Sequence, residues 1–280
     1  MDEFEGKTAV VTGGASGIGK AMATRFAAEG MNVLLADIEE PALADAAAEL
    51  EATGASIATI VADVSDAERV EAIAQAAMDR FGAIHVACNN AGVGGGGLAW
   101  EIEPAVWDWV LSVNLMGVIH GVRAFVPRII ESGGGHVVNT ASMAGLTSPP
   151  FMSPYNVAKH GVVTLSEGLY QELQMMHPEV GVSVLCPGWV NTRIHEADRN
   201  KPDTIADPEE EGDLLNMRDM MAGFIESGMD PADVAGLVTD AIKREQFYIL
   251  THDDWNTAVT ARMERIKSGE NPTMMLPIDP

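Results

Sequence analysis

Short β-branched, apolar runs alternate with helical stretches along almost the whole chain, and that alternation constrains the fold more than any other feature. Residues 8–12, 32–36, 57–61 and 84–88 read as strands. Between them, residues 17–29, 41–52 and 67–81 carry Ala-rich apolar faces at helical spacing, with Asp66 placed to cap the third. The second half continues with a long helix over 104–131, a strand at 136–140, a helix over 153–176 and a strand at 181–186. Pro231 then opens a helix that runs to residue 244, and 247–251 reads as a last strand. Parallel strands need crossover helices, and those helices cover the sheet on both sides. The expectation is an α/β chain with a doubly wound parallel sheet of about seven strands and helices on both faces.

No linker, repeat or low-complexity segment interrupts this order, so residues 1–280 are read as one domain, and 47% hydrophobic content suffices for its core. Residues 191–230 form a polar, acidic stretch too long for a simple connection. It is read as a lid containing short helices, the alternative being a solvated excursion without a role. Residues 252–280 are read as a C-terminal extension.

With 41 Asp and Glu against 17 Lys and Arg, the net charge of −24 argues against nucleic-acid or anionic-membrane partners. The two cysteines, Cys88 and Cys186, are flanked by apolar residues and read as buried small hydrophobes, and the seven histidines lack metal-ligand spacing. No metal is expected. The absence of an uncharged apolar run of about 18 residues, and an acidic start, point to a soluble cytoplasmic protein.

Thr12-Gly13-Gly14-Ala15-Ser16-Gly17-Ile18-Gly19 lies where the first strand gives way to the first helix. Backbone N–H groups and the helix N-terminus there can cradle a pyrophosphate, and glycine lets the ligand approach. The spacing departs from GxGxxG, so alone it is a moderate signal. Asp37, at the end of the second strand, can accept hydrogen bonds from adenosine ribose hydroxyls, and would repel a 2′-phosphate. Ile38 offers no compensating cation, so NAD(H) is expected over NADP(H). Asp63-Val64 follows the third strand and Asn89-Asn90-Ala91-Gly92 the fourth, both at the carboxyl edge where such sheets bind ligands.

Tyr155-Asn156-Val157-Ala158-Lys159 places a phenol and an ammonium at i and i+4, one helical turn apart. A neighbouring positive charge favours the phenolate, so Lys159 together with an oxidised nicotinamide is expected to lower the Tyr155 pKa from its free value of about 10. Such pairs are common by chance. Ser142, closing the strand before, can return to the same edge and polarise a substrate carbonyl. Asn114, unfavourable within the long helix, can hold a water leading protons toward Lys159.

Taken in order, the Thr12–Gly19 turn, Asp37, Asp63, Asn89 to Gly92, Asn114, Ser142, Tyr155, Lys159, Pro187-Gly188 and Thr192 resemble the short-chain dehydrogenase/reductase family over roughly residues 5–250. The resemblance implies a Rossmann fold and an NAD-dependent oxidoreductase acting on CH–OH groups. It implies a tetrad of Asn114, Ser142, Tyr155 and Lys159, with Tyr155 as acid/base, Ser142 orienting the substrate oxygen and Lys159 also binding the nicotinamide ribose. Pro187, Gly188, Val190 and Thr192 would hold the carboxamide side, joining Gly13, Ser16, Gly17, Ile18, Gly19, Asp37, Ile38, Asp63, Val64, Asn90, Ala91 and Gly92 around NAD(H). It further suggests a homotetramer or homodimer joined through the helices at 104–131 and 153–176. The glycines at 94–97 exceed the family pattern and suggest a flexible substrate-side loop.

Met143, Met152 and Trp189, with Met217, Met220, Met221 and Phe224 of the lid, are mostly apolar and adaptable. They point to a bulky hydrophobic alcohol or ketone, aromatic or steroid-like, although several of these methionines can equally fill core. The alternatives are a 3-oxoacyl thioester reductase, disfavoured by the acidic surface against an acidic carrier protein, and a catalytically silent nucleotide sensor.

Overall fold

The computed structural model describes residues 1, 3–206 and 213–273, with backbone alone over 213–217. Met274, Met275, Leu276 and Pro277, part of the expected extension, lie outside the described residues, as do residues 207–212 of the expected lid and the Met217 side chain.

Strands β1 (Thr8–Thr12), β2 (Asn32–Asp37), β3 (Ile57–Val61), β4 (Val86–Asn89), β5 (Gly135–Thr140), β6 (Val180–Cys186) and β7 (Tyr248–Leu250) form one seven-stranded sheet among the described residues. Its order is β3-β2-β1-β4-β5-β6-β7, and every pairing is parallel. The order reverses between β1 and β4, so the loops after these two strands diverge and leave a crevice at the carboxyl edge.

Each central strand is apolar on both faces. Ala9 and Val11 of β1 and Val33 and Leu35 of β2 pack with Met22, Phe26, Leu43, Val238 and Ile242. Those partners lie on α1 (Gly17–Ala28), α2 (Glu40–Glu51) and α8 (Pro231–Arg244). Val10, Leu34 and Ala36 face the other way, against Val70, Ile73, Phe125, Ile129 and Leu173. These come from α3 (Ala67–Phe81), α5 (Gly117–Glu131) and α6 (Ser153–Met176). With period-2 alternation and no polar face to lose, the sheet has to be covered on both sides. Asp66 caps α3 by accepting from Glu68 and Arg69 backbone N–H, as its place in the sequence suggests.

The helix expected over 104–131 is one run in three parts: α4 (Pro104–Leu111), a π-helical turn at Ser112–Met116 and α5. It is long and apolar enough to cross a membrane by length and composition, but half of its most apolar window is buried within the protein. Residues 191–230 hold a 3₁₀ segment at Ile194–Asn200 and α7 (Asp213–Glu226). The C-terminal helix α9 (Trp255–Ser268) docks through Trp255, which is 6% exposed and packs with Val118, Met143 and Val162.

His136 is buried on β5, and its tautomer follows from its neighbour. The Ser183 hydroxyl donates to the Gln246 carbonyl at 2.6 Å, so the 2.7 Å contact between His136 Nε2 and Ser183 Oγ has the ring as donor. Burial, helped by the N-terminal charge, pushes the His136 pKa down to about 3 from 6.5. The unfolded chain binds a proton that the fold refuses, so stability falls as pH drops from about 6.5 toward 3. In urea titrations between pH 7.5 and 4.5, wild-type protein should lose stability more steeply than His136→Gln, by up to about 1.4 kcal/mol per pH unit. Equal slopes would place the acid sensitivity elsewhere.

Candidate active site

The turn from β1 into α1 is shaped by close backbone approach. A Cβ on Gly13 would lie 2.9 Å from Ala91 Cα, and one on Gly19 would lie 2.0 Å from the Gly13 carbonyl and 2.6 Å from Asn90 Nδ2. Gly13 and Gly17 also have φ of +66° and +51°, which suit glycine. The Thr12 hydroxyl accepts from the backbone N–H of Asn90 and Ala91 at 2.9 and 3.1 Å, while Asn90 Nδ2 donates to the Thr12 carbonyl and Thr140 Oγ1 donates to Asn90 Oδ1. These bonds tie the ends of β1, β4 and β5 into one rim. Ser16, at the N-cap of α1, makes no side-chain capping bond there.

Asp37 ends β2, one residue beyond the expected strand, and its carboxylate accepts from Ala15 N–H at 3.0 Å and Glu39 N–H at 3.1 Å. The bond to Ala15 locks the acid against the glycine turn. Ile38 is 48% exposed beside it. Asp63 accepts from Ser65 N–H at 2.9 Å and holds the turn after β3, placing Val64 under the π-helical turn, where Gly117 leaves room for it.

Asn114 sits in that π-helical turn, fully buried. Its Oδ1 accepts from Val93 N–H and its Nδ2 donates to the Val93 carbonyl, both at 2.8 Å. The relay role expected for it therefore falls to the second lone pair of Oδ1 or the second N–H of Nδ2. Lys159, 3% exposed, donates to the Thr140 carbonyl at 2.9 Å and sits 5.5 Å from the centre of the Tyr155 ring. Gly92 faces both, since a Cβ there would be 3.0 Å from Asn114 Oδ1 and 3.6 Å from Lys159 Nζ. Ser142 accepts from Ala144 N–H at 3.1 Å, donates to the Pro187 carbonyl at 3.4 Å and acts on Tyr155 in the direction that lowers its pKa.

Without the nicotinamide's charge, burial dominates the electrostatics of the pair. Burial pushes the Tyr155 pKa up to about 12 and outweighs the Ser142 hydrogen bond, while burial pulls Lys159 down to about 8. The two groups lose water together, so the ammonium does not simply draw the phenol down.

Pro187, Gly188, Val190 and Thr192 follow β6. Gly188 N–H donates to Thr251 Oγ1 at 3.1 Å, Val190 pairs with Met229, and Thr192 Cγ2 would lie 3.0 Å from a Cβ on Gly17. Thr192 thus reaches the glycine turn from the opposite side. Trp189 stacks on Phe224 with ring centres 5.5 Å apart and meets the edge of Trp255 at 6.2 Å. Met152 is half-buried at the start of α6, whereas Met143, 1% exposed, packs with Val118, Ala141 and Val162 and is a core side chain. For Met143, core filling wins over pocket lining. Thr251 and Trp255 were not picked out from sequence, although their position just beyond the last strand is a signal that the carboxyl edge passes there.

The groups present suit a dinucleotide: a turn whose glycines leave space, an acid locked beside it, and a buried cation at the far end. Asn114→Leu should strand the buried Val93 N–H and carbonyl, costing roughly 2–4 kcal/mol in urea denaturation. A loss below about 1 kcal/mol would show that this clamp is dispensable.

Residues 7–203 match the family model described as short chain dehydrogenase. A 1-deoxy-11-beta-hydroxypentalenate dehydrogenase of Streptomyces exfoliatus is 37% identical, over 89% of this chain and 84% of its own length. A CLA biosynthesis dehydrogenase/reductase of Lactiplantibacillus plantarum is 30% identical over 95% of both chains. The crystal structure of a short-chain dehydrogenase/reductase from Burkholderia phymatum in complex with NAD superposes with a TM-score of 0.95 at 44% identity, covering 99% of this chain and 100% of that one. With its parallel sheet and the groups gathered at the carboxyl edge, the chain belongs to the short-chain dehydrogenase/reductase family of oxidoreductases.

Proposed function

We propose that the protein interconverts a bulky, hydrophobic secondary alcohol and its ketone, with NAD(H) preferred over NADP(H) and Tyr155 as the acid/base. The observation that carries this reading is the convergence of Ser142, Tyr155 and the buried Lys159 at one rim. When bound, the nicotinamide ring supplies the hydride acceptor in oxidation and the hydride donor in reduction. Ser142 holds the substrate oxygen; Tyr155 takes the hydroxyl proton as the carbonyl forms, and returns it in the reverse direction. With a pKa near 12 the phenol is protonated at neutral pH and ready to donate, so oxidation needs added positive charge beside it. Lys159, at about 8, still carries most of its charge at pH 7 and contributes part of that need.

Asp37 supports NAD(H), because its carboxylate stands locked at the ribose end with no cation at Ile38. Gly13, Ser16, Gly17, Ile18 and Gly19 would line the pyrophosphate, Asp63 and Val64 the adenine side, and Asn90, Ala91, Gly92, Pro187, Gly188, Val190 and Thr192 the nicotinamide half. The aromatic group of Trp189, Phe224 and Trp255, together with the half-buried Met152 at the start of α6, supports an apolar substrate. Residues 191–230 serve as its lid and residues 252–280 as a C-terminal extension, of which α9 docks beside it. A cytoplasmic homotetramer or homodimer completes the reading, supported by Met116 and Val157, 40% and 50% exposed on the long helices.

The test is NADH formation from NAD⁺ with secondary alcohols graded from small polyols to bulky aromatics and hydroxysteroids. Activity should concentrate on the bulky members and favour NAD⁺ over NADP⁺ by at least about tenfold in kcat/KM. Tyr155→Phe should lower kcat by at least about 100-fold while leaving the NADH dissociation constant nearly unchanged. A strong preference for polyols removes the substrate assignment, and retained turnover in Tyr155→Phe removes the acid/base assignment.

A further inference from the structure

Glu39 occupies the N-cap position of α2 but makes no side-chain bond to that helix. Its carboxylate turns away instead and reaches the segment after Thr192. Arg199 Nε donates to Glu39 Oε1 at 2.8 Å, and Asn200 Nδ2 donates to the same oxygen at 2.9 Å. The two charged side chains are only 24% and 25% exposed, so water screens the pair incompletely. The same guanidinium spends Nη1 on the carbonyls of Arg193 and Glu196, both at 2.9 Å. One planar, five-donor group thus binds Glu39 on one side and closes the turn at 193–196 on the other, a geometry that a lysine ammonium does not reproduce. Arg193 in turn donates to Glu196 at 2.6 Å.

This knot lies between two parts of the candidate site. Toward the adenosine end, the Glu39 N–H donates to Asp37, the acid locked against the glycine turn. On the other side, the carbonyl held by Arg199 belongs to Arg193, the neighbour of Thr192, whose methyl packs against Gly17. Beyond the knot, Ala197 and Ile205 are buried against Val93, Trp109 and Val110, which anchors the segment to the substrate-side loop. Burial works to raise the Glu39 pKa, but Asn200, Arg199 and Arg193 outweigh it and hold the carboxyl below its usual range. The acid is therefore ionised at neutral pH.

We propose that Glu39 is a positioning residue: by clasping Arg199 and Asn200 it fixes Thr192 against the glycine turn and straps residues 193–200 across the dinucleotide, so that breaking the clasp speeds cofactor release. The inference rests on the assignment of NAD(H) to this site. Opening the clasp is a step that release must wait for.

NADH dissociation is followed by stopped-flow fluorescence on the full chain for wild type, Glu39→Gln, Arg199→Gln, Arg199→Lys and the double variant Glu39→Gln/Arg199→Gln. Hydrogen exchange over residues 193–205 is followed in the same proteins without cofactor. Each single variant should release NADH about tenfold faster, equivalent to about 1.4 kcal/mol of lost closure. The double variant should be no faster than the faster single, since both remove one interaction. Exchange over 193–205 should rise in all four while that of α6 stays unchanged. Dissociation within twofold of wild type, full function in Arg199→Lys, or a double variant equal to the product of the singles overturns the clasp. Wild-type protein that binds no NADH overturns the functional reading, and the clasp with it. The variants lie on two separate segments, so misfolding of one leaves the other to decide.

Discussion

A single ammonium group, that of Lys159, sets the terms on which the carboxyl edge is built. It is 3% exposed, and an ion at that depth is tolerated only where acceptors replace the water it has lost. The carbonyl of Thr140, the last residue of β5, supplies one acceptor at 2.9 Å. Gly92 packs beside the side chain, where a Cβ would stand 3.6 Å from the nitrogen and a tighter 3.0 Å from Asn114 Oδ1. Part of the cost remains, and it shows as a pKa drawn down to about 8. A cation that is both buried and still ionised near neutrality acts strongly on any neighbouring proton, which is why its position one turn from Tyr155 is chemically consequential.

The same economy explains the break in the long helix. A regular α-helix over 104–131 would carry Asn114 at a cost, with its amide competing for backbone partners. The π-helical turn at Ser112–Met116 widens the helix by one residue, and the amide makes its two bonds to Val93 instead. Local helical regularity is given up, and the loop after β4 is fixed in return. That loop carries Gly92, so the clamp at Asn114 and the space around Lys159 are parts of one arrangement.

Those elements that follow from periodicity and capping were legible in the sequence. The seven strands, the covering helices and the Asp66 cap appear where apolar alternation and helix-start signals place them, because a sheet buried on both faces leaves its pattern in nearly every residue. The glycine turn was legible for a similar reason, since only glycine fits where Gly19 meets Gly13 and Asn90. What escaped depends on contacts between distant segments. The π-helical turn has no residue signature of its own. Met143 looks like a pocket residue by sequence position but is enclosed by β6, α5, α6 and the docked α9. The rise in the Tyr155 pKa comes from shared burial of Tyr155 and Lys159, which spacing along a helix does not reveal.

That contrast extends to the two halves of the site. The cofactor half is made of backbone approach, fixed hydrogen bonds and one locked carboxylate, features in which a shift of an ångström breaks a contact. The proposed substrate half is assembled from Trp189, Phe224 and Trp255, brought together from the loop after β6, from α7 and from α9. Aromatic rings and methionines bind by area and shape, and a methylene more or less in such a pocket is worth only about 1–3 kcal/mol. In the proposed reading, then, the reaction and its cofactor are held to narrow tolerances by the sheet edge. Selectivity among bulky substrates is left to how closely α7 and α9 pack over Trp189, so the fold separates what must be exact in position from what needs only to fit in volume.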